Sequence, residues 1–128
     1  MTRPLALVFY ESLLTGNQLM NRLDELGYRV VAVHDLALLP AQVAREKPLV
    51  VLLELGAMAD RVCAVTRSLG ASEATAHVPV IAYVAAGDAV LAERNAEGAR
   101  RAGARLVAMG ANVVIQLDDL LDQALHVD

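Results

Sequence analysis

Apolar runs of strand length alternate with stretches of helical period along the chain. Residues 4–10 (PLALVFY) form one continuous apolar run, as a strand buried on both faces requires. After it, Leu13, Leu14, Met20, Leu23 and Leu26 fall on one side of a helix that Gly27 closes. Residues 28–34 are β-branched and apolar and read as a second strand. Residues 36–46 keep helical spacing and stop before Lys47–Pro48, because a residue preceding proline is pushed out of helical conformation. Residues 49–55 make a third strand, 60–69 a third helix, 68–77 its end and a polar loop, and 78–84 a fourth strand. A helix over 90–102 is closed by Gly103, 106–109 is a short fifth strand, and Leu117, Leu120, Leu121 and Leu125 define a last amphipathic helix. Five strand–helix alternations with short connections predict an α/β domain with a parallel sheet, spanning residues 1–128 as one unit. Ligands of such sheets bind beyond the carboxyl ends of the strands. The positions to interrogate are therefore Tyr10–Glu11, His34–Asp35, Glu54–Leu55–Gly56, Val84–Ala85 and Met109–Gly110.

Composition narrows the function more than the fold. A chain of 128 residues, 56% hydrophobic but only 3% aromatic and without Trp, builds its core from Ala, Val and Leu and has few stacking platforms. A net charge of -4 with scattered basic residues argues against a nucleic-acid footprint, and Arg100–Arg101 reads as a solvated pair. Cys63 is the single cysteine, so neither an intramolecular disulfide nor a cysteine metal cluster can form; inside the third helix it reads as a packed, inert thiol. His34, His77 and His126 are dispersed, without metal-ligand spacing. The first ten residues lack the apolar run of a signal peptide and no stretch approaches about 18 apolar residues. The expectation is a soluble cytoplasmic protein that engages no membrane.

The stretch SLLTGN, residues 12–17, raises a choice. Thr15–Gly16–Asn17 is similar to the phosphate loops of flavodoxins, but it also suits a helix start in which Ser12 or Thr15 caps and Asn17 faces water. A flavin site also needs aromatic side chains around the ring. Tyr83 is the one candidate, and Gly56–Ala57–Met58 supplies none. Helix-start chemistry is the preferred reading, with FMN or nucleotide binding as the alternative.

Four segments carry a resemblance to a family. TRSLGASEATAHVPVIAYVAA, residues 66–86, resembles the third helix, polar loop and "hxPVIxxTA" fourth strand of response-regulator receiver domains. GYRVVAVHD (27–35), KPLVVLLELGAM (47–58) and RRAGARLVAM (100–109) look like the second, third and fifth strands of that family in the same register. The resemblance covers nearly the whole chain, with a few extra residues in 87–94. It implies the flavodoxin-like, CheY-like fold: a doubly wound five-stranded parallel sheet of order 2-1-3-4-5 with helices on both faces.

What the resemblance implies for function is different at each position. Receivers take a phosphoryl group on an Asp ending strand three, hold Mg²⁺ with that Asp and an acidic pair after strand one, and contact the phosphoryl oxygens with a Ser or Thr ending strand four and a Lys ending strand five. Here those positions read Glu54, Tyr10 with Glu11, Val84 and Met109. Glu54 keeps the charge one methylene farther out, where about 1 Å of misplacement costs roughly a hundredfold. Val84 offers no hydrogen bond. Lys47 is the only lysine and precedes strand three, at the opposite end from the pocket. Groups that act as a unit fail together, so the expectation is a pseudo-receiver: no enzyme, no cofactor, no bound metal, and a signalling role through an unidentified protein partner, with homodimerisation left open. An atypical phosphorylatable receiver is a further alternative. Glu11 and Glu54 are expected to be two solvated carboxylates at a sheet edge, with Glu54 a partial imitation of a phosphorylated, charged state. Tyr83 is expected either to be an aromatic switch that changes exposure with signalling state or a partly buried strand aromatic. The resemblance also implies a docking face of the fourth helix, fifth strand and fifth helix, including Arg100, Arg101 and residues 118–122.

Overall fold

Three strands whose residues are buried at every position form the middle of the sheet, as expected of parallel strands covered by helices on both faces. The computed structural model describes residues 3–84 and 88–125. The elements follow one another as β1 (Leu5–Phe9), α1 (Leu13–Glu25), β2 (Arg29–Ala32), α2 (Leu39–Glu46, entered through a 3-10 turn at Leu36–Leu38), β3 (Val50–Glu54), α3 (Ala59–Ala71), β4 (Val80–Val84), α4 (Ala89–Ala102), β5 (Leu106–Met109) and α5 (Leu117–Leu125). All strand pairs are parallel and the order is β2-β1-β3-β4-β5. The expected architecture is present.

The pleat sorts side chains into two cores. Leu7, Phe9, Val51, Leu53, Ala82 and Val84 pack against α2, α3 and α4 through Leu39, Val43, Val62, Leu69, Ala92 and Ala99. The alternate residues Ala6, Val8, Leu52, Ile81, Tyr83 and Ala108 pack against α1 and α5 through Leu19, Leu23, Leu117 and Leu121. Leu7, Leu52, Leu53 and Ile81 are wholly buried, and truncating one such side chain to alanine costs about 2–5 kcal/mol.

Helix ends follow the sequence signals. Gly27 and Gly103 adopt φ of 94° and 110°. The amides that follow them, on Tyr28 and Ala104, bond back to the carbonyls of Leu23 and Ala99 at 2.9 and 3.0 Å, which closes α1 and α4 with a left-handed glycine. Leu13 and Leu14, expected on the buried side of α1, are instead 66% and 72% exposed, and the buried positions are Gly16, Leu19 and Leu23. Both leucines lie in the first turn, at the rim of the sheet rather than over it. Among the described residues, no helix is long and apolar enough to cross a membrane.

Candidate functional site

The carboxyl end of a parallel sheet is where helix N-termini gather, so unpaired N–H groups converge there. β1 and β3 are adjacent; β3 ends in Glu54, and Glu11 lies two residues beyond the end of β1. Glu54 closes β3 and is only 4% exposed. Its Oε1 accepts hydrogen bonds from the backbone N–H groups of Glu11 and Ser12, both at 3.0 Å, and its Oε2 accepts the Ser12 hydroxyl at 2.9 Å. These donors sit at the entrance to α1, whose N-cap residue is Ser12. Ser12 is therefore at the expected helix start, but its side chain makes no capping bond to its own helix and donates to Glu54 instead. Three donors and the positive end of α1 offset the cost of burying the charge.

Glu11 does the converse. Its side chain leaves the end of β1 and accepts the N–H groups of Ala57 at 3.0 Å and Met58 at 3.1 Å, at the entrance to α3. The two carboxylates thus cross over: Glu54, ending β3, holds the amides just ahead of α1, and Glu11, two residues beyond β1, holds the amides just ahead of α3. The expectation of two solvated carboxylates fails for Glu54, because the pleat directs it inward beside Leu52 to the α1 face. It holds for Glu11 only in that this residue remains exposed.

Two glycines make the crossing sterically feasible. A Cβ on Gly56 would lie 2.8 Å from Glu11 Oε2, and a Cβ on Gly16 would fall against the ring of Tyr10. Tyr10, standing where a receiver has an acidic residue, is half-buried with its ring laid over Gly16 of α1. Thr15–Gly16–Asn17 accordingly lies within the helix, with the Gly16 N–H bonded to the Ser12 carbonyl at 2.8 Å. No phosphate loop is formed by these residues.

Tyr83 lies under this corner on the same face. It is fully buried, and its hydroxyl donates to the Phe9 carbonyl at 3.2 Å. Burial raises its pKa far above the usual tyrosine range, and the negative charges of Glu54 and Glu11 and the neighbouring Tyr10 push it the same way. The ring is wholly inside, deeper than the partial burial expected of a strand aromatic.

The other expected positions are not brought to the same place. Val84 is buried on the opposite face, against α3 and α4, and lines a shallow cavity of about 210 Å³ with Leu55, Gly56, Ala57, Asp88, Leu91, Ala92 and Asn95. Met109 ends β5 in register with Val84 and is 38% exposed. Lys47 is the C-cap of α2 with φ of 51°, at the amino end of β3 as expected. Among the described residues no three His, Cys, Asp or Glu side chains group as a metal site. Cys63 is buried where α3 meets α4, close to Gly98. Burial pushes its thiol pKa up and Asp60 adds to this, against a lowering by Arg67. His34 and His77 are exposed, while His126 and Ala85 lie outside the described residues.

Sequence reasoning missed three participants. Asp88 caps α4 by accepting the N–H groups of Val90 and Leu91 at 2.8 and 3.1 Å; an Asp just before an apolar helical run is a readable signal for this. Gly16 and Gly56 carried no signal of their own, since their role depends on side chains arriving from elsewhere.

No protein-family model and no curated relative matches the chain. Solved structures do. A response regulator from Thermotoga maritima superposes with a TM-score of 0.76 at 18% identity, covering 97% of this chain and 98% of that one. The receiver domain of a sensor histidine kinase from Pseudomonas aeruginosa, which holds a magnesium ion in its active-site cleft, gives 0.79 at 21% identity over 97% and 98%. A CheY-like TadZ protein from the same organism gives 0.74 at 20% identity over 99% and 97%. At these identities the likeness establishes the CheY-like receiver fold.

Proposed function

We propose that the chain is a pseudo-receiver: a single receiver-like domain that signals by binding another protein and does not carry a phosphoryl group. The observation that carries this reading is the crossed hydrogen bonding of Glu54 and Glu11 to the backbone ahead of α1 and α3. Phosphoryl transfer to a carboxylate requires an oxygen free to attack, a divalent ion to shield charge, and fixed donors for the product. Both oxygens of Glu54 already accept hydrogen bonds from the entrance to α1. Both oxygens of Glu11, the one carboxylate remaining from the acidic pair, accept the amides of Ala57 and Met58 just ahead of α3. Val84 and Met109 supply no donor in place of the hydroxyl and the lysine.

The face of α4, β5 and α5 is the docking surface that the receiver likeness suggests. Arg100 and Arg101 are held there by Glu93 and Glu97, across 3.2–3.8 Å, and Asp118 and Asp119 open α5. Incubation with acetyl phosphate and Mg²⁺ followed by intact-mass measurement tests the reading. The expected product is unmodified protein; a phosphoryl adduct that disappears in Glu54→Gln would overturn it.

A further inference from the structure

Seven of the nine large apolar side chains left exposed among the described residues lie at or next to strand carboxyl ends; Leu49 and Ile115, which lies along α1 beside Arg22 and Glu25, are the exceptions. The seven include Leu14 at 72%, Val90 at 80% and Leu91 at 51%. Capping needs polar groups at helix starts and gives no reason for aliphatic ones there. Exposed aliphatic side chains gathered on one face mark an interaction surface.

The charge around them is predominantly negative. Asp60 lies in the first turn of α3, Asp118 and Asp119 lie in that of α5, and Asp35 and Asp88 cap helices on the same face. Arg61 and Arg94 are the basic residues in the opening turns of helices there. Most of the remaining basic residues occupy the opposite end, in the last turns of helices and the connections leading into strands. From this charge complementarity we infer that the strand-end rim is a docking surface for a polypeptide segment that is both apolar and basic, such as an amphipathic helix with Lys or Arg flanking its Leu side chains. The inference rests on the protein-binding reading above and assigns it a face and a partner chemistry. An anionic membrane or a nucleic acid would be repelled by the same carboxylates. A second copy docking by its basic end is disfavoured, because much of the charge there is already met in Arg3–Asp24, Arg22–Glu25, Arg45–Glu46 and Arg101–Glu97 pairs.

Fluorescence anisotropy with three labelled synthetic peptides tests this: an amphipathic Leu/Lys helix, its Leu/Glu counterpart, and a Leu/Lys scramble with no apolar face. The amphipathic Leu/Lys peptide alone is expected to bind. The affinity should fall by about tenfold in Val90→Ser/Leu91→Ser, on the scale of losing an interface anchor, and should fall again in Asp60→Lys, which lies at the start of α3 and outside the α4–β5–α5 face. These positions are exposed, and circular dichroism checks that each variant is folded. Equal binding of the scramble, no binding of any peptide, or concentration-dependent self-association without peptide would overturn the inference. Binding that survives the rim variants but is lost in Arg101→Glu would also overturn it, while leaving the protein-binding reading intact on the α4–β5–α5 face. Failure of the pseudo-receiver reading shows separately, as a phosphoryl adduct.

Discussion

The two corners of the strand-end face are built in opposite ways. At the β1–β3 corner the charged groups persist and are fully employed: two carboxylates accept four backbone N–H groups and one hydroxyl between them. At the β4–β5 corner the strands end in apolar side chains: Val84 lines a cavity shared with Leu91, Asp88 and Asn95, and Met109 exposes its thioether. The first corner therefore stores stability and the second stores surface. The two corners also face different layers, with Glu54 on the α1 side of the sheet and Val84 on the α3–α4 side.

Removing Glu54 should separate the corners most sharply. Glu54→Leu leaves the N–H groups of Glu11 and Ser12 and a hydroxyl without their acceptor, and each orphaned buried donor costs about 1–3 kcal/mol. A loss of about 3 kcal/mol or more in chemical denaturation is expected. Met109→Ala at the other corner should stay within about 0.5 kcal/mol, as exposed substitutions do. Comparable costs at the two positions would remove the contrast.

A smaller effect is expected at Gly16. Alanine there gains helix propensity of up to about 1 kcal/mol, but its Cβ collides with the Tyr10 ring, and overpacking costs about 1–3 kcal/mol. Net destabilisation is expected in Gly16→Ala and its relief in Gly16→Ala/Tyr10→Ala, a coupling that a double-mutant cycle measures. Additive effects would mean that Tyr10 does not lie on α1.

The mildest test is alkaline. Tyr83 has its pKa raised by burial, whereas an unfolded tyrosine ionises near pH 10 (roughly). The raised value contributes stability that is present in full below about pH 10 and eroded as pH climbs toward the folded value. Tyr83→Phe should therefore lose about 1 kcal/mol at neutral pH, with its hydrogen bond to Phe9, and decline less steeply above about pH 10 in thermal melts. An unchanged alkaline slope would place the ring in water.

Much of the fold was legible because burial on both faces demands uninterrupted apolar runs; the fifth strand coincides with the expected 106–109. The second strand is shorter than its apolar run. Its paired residues run from Arg29 to Ala32 along β1, and the Val33 N–H makes the last bond across, to the Val8 carbonyl at 2.8 Å. The first helix was read with Leu13 and Leu14 inside, because helical spacing does not say where the sheet beneath the helix begins. At the site, the sequence supplied residue types and strand ends. It could not supply which amide a carboxylate reaches: Glu54 finds donors 42 and 43 residues away, in a direction set by the pleat and by the space at Gly16 and Gly56.

The central claim is that Glu11 and Glu54 are committed to helix entrances and are not held in reserve for a cation and a phosphoryl group. The most direct measurement is a Mg²⁺ titration of the ¹⁵N-labelled protein, following the backbone amides of Glu11, Ser12, Ala57 and Met58. The account predicts that all four signals stay in place as Mg²⁺ is raised. Saturable movement of these four, with the rest of the spectrum still, would contradict it.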